Sequence, residues 1–193
     1  YPHVAMTGPA QRGYVVSTDD DNSVYPRWKV FDDNYWVSGA AEERWQPNTG
    51  VYASNGTDTT GGGTTTLADS STKKGNYVQL ESPHKLNVTK YKIYSSTVTS
   101  AFTPKKVILL GSNTGGSDWV SIDPAGEVEP TYSGTNADYA ATVSFSNTST
   151  YKYHRLVIRA IASQTLPVIY QLQLFGTEEN TGTPAIVGGP FAG

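Results

Sequence analysis

The chain has 193 residues, a net charge of −3, 37% hydrophobic and 16% charged residues, and no cysteine. That length suits one domain with a full core, and the weak acidity excludes a basic nucleic-acid binder. The missing cysteine excludes disulfide scaffolds, thiol nucleophiles, zinc ribbons and iron–sulfur sites. Serine, threonine, asparagine, 19 glycines and 13 tyrosines fill the space. This mixture is poor in helix formers and rich in strand and turn residues. No apolar run approaches the roughly 18–20 residues of a membrane span. Met6 is the only methionine, so the sequence reads as a mature product or as an ordered piece of something longer.

In chain order, 13–17 (GYVVS) reads as a strand and 18–23 (TDDDNS) as a polar turn. Segment 25–36 (YPRWKVFDDNYW) gathers aromatics around a proline and an Asp-Asp-Asn turn. Only 39–45 (GAAEERW) hints at helical spacing, and it carries no capping box. The Gly/Thr/Ser stretch 53–75 cannot bury enough apolar surface to fold alone, so a functional or mobile loop is expected there. Strand patterns follow at 76–81, 86–94, 105–111, 118–122, 140–146, 151–159 and 168–175. Their period-2 alternation between Gly, Asn, Ser and Pro predicts antiparallel strands, hence a sandwich or jelly roll. Segment 177–193 reads as a linker or docking tail, and there is no internal repeat.

Catalytic constellations are missing. His3, His84 and His154 have no metal-binding spacing, and mid-strand His154 reads as structural. There is no nucleophile elbow and no Walker loop. The glycine runs at 56–63 and 111–119 lack the lysine and helix that cradle a phosphate. Carboxylates such as Glu42, Glu43, Asp118, Asp123, Glu127 and Glu129 fall in loops without a glycosidase pattern. The chain is therefore not expected to be an enzyme.

Two turns are candidates for calcium, a hard cation that takes about 6–8 oxygens. Asp19-Asp20-Asp21-Asn22 is either such a site or a solvated turn; Asp32-Asp33-Asn34, beside Phe31, Tyr35 and Trp36, is either an ion site or an Asp-capped turn. Trp45 lies among polar residues (EERWQPNTG) and reads as exposed, either for ligand contact or for loop packing. Sequons occur at Asn55, Asn87 and Asn147.

Five segments in order carry a resemblance: YPRWKVFDDNYWVSG (25–39), GNYVQLESPHKLNVTKYKIYSS (75–96), PKKVILLGSNTGGSDWVSID (104–123), YKYHRLVIRA (151–160) and VIYQLQLFGT (168–177). Together they resemble the discoidin-like, coagulation-factor C-type family, the galactose-binding-like β-sandwich. Versions this rich in Thr, Gly and Tyr, opening near Y-P-x-V-A-M-T, resemble those of virion and phage surface proteins. The resemblance implies an all-β fold, an eight-stranded antiparallel jelly-roll sandwich over 13–177, with a lead-in at 1–12 and a tail at 178–193. It implies binding of glycans, lipid head groups or protein partners, and no catalysis. The disulfide of secreted animal members is missing. Gln171 stands where many sugar-binding members place a calcium-ligating Glu, so the implied calcium set is Asp32, Asp33 and Gln171. The acidic loop 18–24 lacks an apolar spike, which argues against docking on anionic membranes.

By position, the ligand loops are 17–25, 37–50 and 95–103. They nominate Asp19, Asp20, Asn22, Tyr25, Arg44 and Trp45 for a sugar, with ring stacking and charge-assisted hydrogen bonds to hydroxyls. Two functions follow as expectations. One is a non-catalytic module that attaches to a cell-surface glycan from a virus or phage particle. The other is a virion decoration or fibre-docking domain that contacts other virion proteins or its own copies. Either places the chain on a virion surface or outside cells, with no nucleic acid and no membrane insertion.

Overall fold

The computed structural model describes residues 1–34, 43–53, 61–95, 97–135 and 139–179. The organising element is β5 (Tyr77–Tyr94), an 18-residue strand. The sequence reading split it in two at Ser82-Pro83-His84-Lys85. Proline cannot donate to a ladder and is confined to edges and bulges. Here the bulge serves that need: β11 (Tyr151–Ile161) pairs Tyr153 with Glu81 and Tyr151 with Leu86, so 82–85 lie opposite one residue.

The first half of β5 also pairs with β2 (Tyr14–Thr18), and β11 continues the layer to β6 (Pro104–Ser112). The second half of β5 lies between β10 (Ala140–Ser144) and β12 (Gln171–Glu178). One strand therefore belongs to both layers. A second irregularity sits at Thr89, which is skipped where Phe175 pairs with Lys90 and Gly176 with Val88. It switches the inward set from Leu86 and Val88 to Tyr91 and Ile93. An extra residue of this kind re-aims every side chain beyond it. Gly176 is required there, because a Cβ would lie 1.8 Å from the Asn87 carbonyl oxygen.

Short strands complete the sheet: β1 (Ala10–Gln11), β7 (Val120–Ser121), β8 (Glu127–Val128) and β9 (Tyr132–Ser133). Within the Gly/Thr stretch, β3 (Thr64–Thr66) and β4 (Thr72–Lys74) form a separate hairpin. This part of 53–75 is thus built structure rather than one long loop. The described residues form twelve strands where eight were expected, four of them two residues long. Among the described residues, helical hydrogen bonding is limited to 3-10 turns at Arg27–Phe31 and Ser100–Phe102. The hinted helix at 39–45 lies largely outside the described residues; its end is the isolated bridge of Trp45 with Ile169.

The main core lies between the layers, with Val16, Leu80, Ile93, Leu109, Leu156 and Leu174 among its members. A smaller apolar cluster of Ile108, Leu110, Trp119 and Val157 lies on the other face of β6 and β11. Tyr1 covers the outer edge of β12 through hydrogen bonds with Leu174 in both directions.

His154 is buried in β11, beside the Leu86 backbone, and neither ring nitrogen makes a hydrogen bond of good geometry among the described residues. Burial holds its pKa at about 4 and keeps the imidazole neutral. Between about pH 4 and 6.5 the unfolded chain therefore binds the extra proton, and stability from this residue rises with pH. Asp32, raised to about 6, acts in the opposite sense over an overlapping range. A His154→Leu variant separates the two. The stability of the parent minus that of the variant, from urea unfolding, should grow by on the order of 3 kcal/mol from pH 4 to 6.5 and then level off. A flat difference would refute the buried neutral histidine.

Candidate functional site

Three of the predicted loops meet at one end of the sandwich, joined by a fourth that the sequence reading missed. Loop 18–25 binds loop 44–50: Thr49 N–H donates to Asp20 Oδ2 at 2.7 Å, Asn48 Nδ2 to the Asp21 carbonyl, and Gln46 N–H to the Tyr25 carbonyl at 3.4 Å. The fourth segment, 162–169, bridges the remaining gap. Tyr52 N–H donates to the Thr165 carbonyl at 3.0 Å, and Val168 N–H donates to the Phe102 carbonyl at 3.1 Å. In sequence 162–167 is a short link between two predicted strands, with no motif to single it out.

Most of the nominated polar groups hold these loops together. Asp19 accepts from Gly63 N–H at 2.8 Å, Asn76 Nδ2 at 2.9 Å and Tyr77 N–H at 2.8 Å. Asn22 Oδ1 accepts from the Val24 and Tyr25 N–H groups at 2.9 and 3.3 Å. Asp21 ion-pairs with Arg27. Asn22 thus caps its own turn, while Asp19 and Asp20 accept mainly from backbone N–H groups of other segments and tie the turn to them.

Trp45 corrects the expectation of an exposed ring: it is 0% exposed and belongs to the core. Its single bridge to Ile169 pins it there, and its polar neighbours hide it in a sequence pattern. Arg44 remains at the loop end. Its guanidinium lies 4.5 Å from the centre of the Tyr25 ring, and both residues are half-buried. The Arg44 Nε is buried and has no hydrogen-bond partner.

At the second turn, Lys29 decides the chemistry. Its ammonium lies 2.6 Å from Glu43 Oε2 and 3.6 Å from Asp32 Oδ2. Burial pushes the Asp32 carboxyl up to about 6, against the Asn34 N–H and Lys29, which favour its anion. The hydrogen bond from Lys29 lowers the Glu43 pKa. A tethered cation already occupies the space between these carboxylates. Asp32 with Lys29 against it therefore does not fit the implied calcium set. Asp33 is exposed, and Gln171 is a neutral amide on β12. No group of three or more His, Cys, Asp or Glu that could hold a metal occurs among the described residues. Tyr35 and Trp36 lie outside them.

The glycine run at 111–119 is filled from within. Asp118 accepts from the N–H groups of Asn113 and Thr114 at 2.9 and 3.2 Å and from the Ser112 hydroxyl, bonds that hold its pKa down at about 2 against burial. The donors a phosphate would use are thus taken. Two sequons are likewise occupied: Asn87 Nδ2 donates to the Asn147 and Ser149 carbonyls, and Asn147 Nδ2 to those of Val88 and Ser149. Asn55 lies outside the described residues.

No protein-family model matches the chain, and no curated protein sequence matches it. Solved structures do. The C-terminal domain of a chitobiase from Bacteroides fragilis aligns with a TM-score of 0.56 at 18% identity, over 88% of this chain and 97% of that one. The family 32 carbohydrate-binding module of Clostridium perfringens NanJ, solved with galactose, aligns at 0.54 and 11%, over 84% and 93%. The lectin domain of lectinolysin, solved with Lewis B antigen, aligns at 0.51 and 13%, over 89% and 98%. The chain has the discoidin-like, galactose-binding-like β-sandwich fold.

Replacing Lys29 with Met should cost roughly 2 kcal/mol in urea unfolding at pH 8, because two partly buried carboxylates lose their counter-ion. The cost should shrink at pH 5, where Asp32 is protonated. Millimolar calcium should leave the melting temperature of the unaltered chain unchanged; a calcium-dependent rise would overturn the assignment of Lys29 as the resident cation.

Proposed function

We propose that this chain is a non-catalytic carbohydrate-binding domain whose loop end takes a glycan. The observation that carries the reading is the Arg44–Tyr25 stack, set where loops 18–25 and 44–50 meet. A guanidinium lying over a ring has its in-plane N–H donors directed outward, and sugar hydroxyls accept such bonds. The tyrosine contributes an amphipathic surface at low entropy cost. The aligned NanJ module and lectinolysin lectin domain were solved in complex with galactose and Lewis B antigen, which supports the ligand class. The finer reading places the domain on a virus or phage particle, where the glycan is a receptor on the host surface. It rests on the Thr-, Gly- and Tyr-rich, cysteine-free sequence.

One observation favours the second reading, a decoration or docking domain. Val24 and Val98 are 55% and 73% exposed, and they lie on two of the predicted ligand loops. Exposed apolar groups of this kind fit a protein partner better than a sugar.

A glycan array probed with the chain and with its Tyr25→Ala and Arg44→Ala variants distinguishes these readings. The unaltered chain should bind at least one saccharide class. Each variant should weaken that binding about tenfold or more, the equivalent of roughly 1–2 kcal/mol, with an unchanged melting temperature. No binding by the unaltered chain, with loss of particle association in a Val24→Ser/Val98→Ser variant, would move the assignment to docking.

A further inference from the structure

A cleft of about 150 Å³ opens between segment 1–5, the turn at Asp33 and β12. Phe31 and Phe175 give it apolar surface, and Asp33, Gln171 and Gln173 give it polar groups. It shares no lining residue with the Arg44–Tyr25 stack. Gln171 is only 4% exposed, yet its Oε1 is buried without a hydrogen-bond partner. Buried acceptors are almost always satisfied, so an unmet one that lines a cleft needs an explanation. Asp33 adopts a left-handed backbone, φ 57°, which Asp and Asn tolerate better than most residues. That conformation is kept on the rim of the same cleft.

The donor set selects a ligand class. One carboxylate is too little for a divalent cation, which wants several anionic oxygens. The nearby cationic groups are engaged: the Tyr1 nitrogen donates to the Leu174 carbonyl, His3 Nε2 lies 3.1 Å from Glu178 Oε1, and the Lys90 ammonium lies 4.2 Å from the centre of the Phe175 ring. That leaves little to attract a phosphate. A carboxylate, the unmet amide oxygen of Gln171 and the amide of Gln173, whose Oε1 accepts from the Tyr94 hydroxyl at 3.4 Å, set beside aromatic surface, match hydroxyl groups that each donate and accept. The small volume suits a single sugar ring rather than a chain. We propose that this cleft is a second saccharide site, taking one neutral sugar residue, independent of the loop end.

The test is amide NMR of the chain titrated with D-galactose and, separately, D-glucose into the tens of millimolar. Saturable shifts are expected at the side-chain amides of Gln171 and Gln173 with at least one sugar. Gln171→Leu should weaken them at least tenfold while melting no lower than the parent, because it removes an unmet acceptor and keeps the bulk. Asp33→Asn keeps the left-handed backbone and should weaken them as well; it decides the matter if Gln171→Leu does not fold. Arg44→Ala should leave them intact, so loss of loop-end binding is read separately. Absence of shifts at the cleft with both sugars, or their loss in Arg44→Ala alone, would overturn the proposal.

Discussion

A buried guanidinium with no ion-pair partner among the described residues holds the outer face of this sandwich in place. Arg155, 8% exposed, projects from the middle of β11. Its guanidinium carbon lies 3.9 Å from the centre of the Tyr77 ring and 4.1 Å from that of Trp119. Nε and Nη2 donate to Gln79 Oε1 at 3.0 and 2.6 Å, and Nη1 donates to Thr65 Oγ1 at 2.8 Å. Burial lowers its pKa, while Tyr77 and Asp19 favour the cation. The planar fork allows both ring contacts and three hydrogen bonds at once, which a lysine ammonium cannot do. Through Thr65 the guanidinium fastens the β3–β4 hairpin, whose own sequence offers little apolar surface. Through Trp119 it ties in the segment before β7.

The same constraint reaches the loop end through Tyr77. The Tyr77 ring packs on Arg155, and its backbone N–H is held by Asp19, the residue that also anchors Gly63 and Asn76. Asp19 begins the 18–25 loop, and that loop carries Tyr25 and, through Gln46 and Thr49, the strand of chain bearing Arg44. A loop already held by its own carboxylates loses less entropy when a ligand arrives. The acidic residues here shape the loop end, and in the proposed function Tyr25 and Arg44 are the groups that would meet the glycan.

Much of this architecture was legible in the sequence because strand alternation is a local signal. Segments 105–111, 140–146 and 151–159 fall almost residue for residue on β6, β10 and β11. What was not legible depends on distant partners. The continuity of β5 through Pro83 follows from the bulge that β11 leaves for it. Trp45 reads as exposed because its neighbours are polar, and the bridge that draws it into the core is to Ile169, far along the chain. Asp19 and Asp20 have the composition of a ligand turn, but their bonding partners at 63, 76, 77 and 49 are invisible to spacing. Arg155 gave no signal beyond its place in an alternating strand, since Gln79 and Thr65 lie 76 and 90 residues away. Lys29 likewise reads as a surface cation until Glu43 folds back onto it.

The coupling between core and loop end is the central physical claim, and a double-mutant cycle measures it directly. Asp19→Asn and Arg155→Met, alone and together, would be compared by urea unfolding. Because both residues act on Tyr77, their effects should be non-additive by about 1 kcal/mol or more. Additivity within about 0.3 kcal/mol would mean that the loop end and the guanidinium are independent, and would contradict the proposed connection.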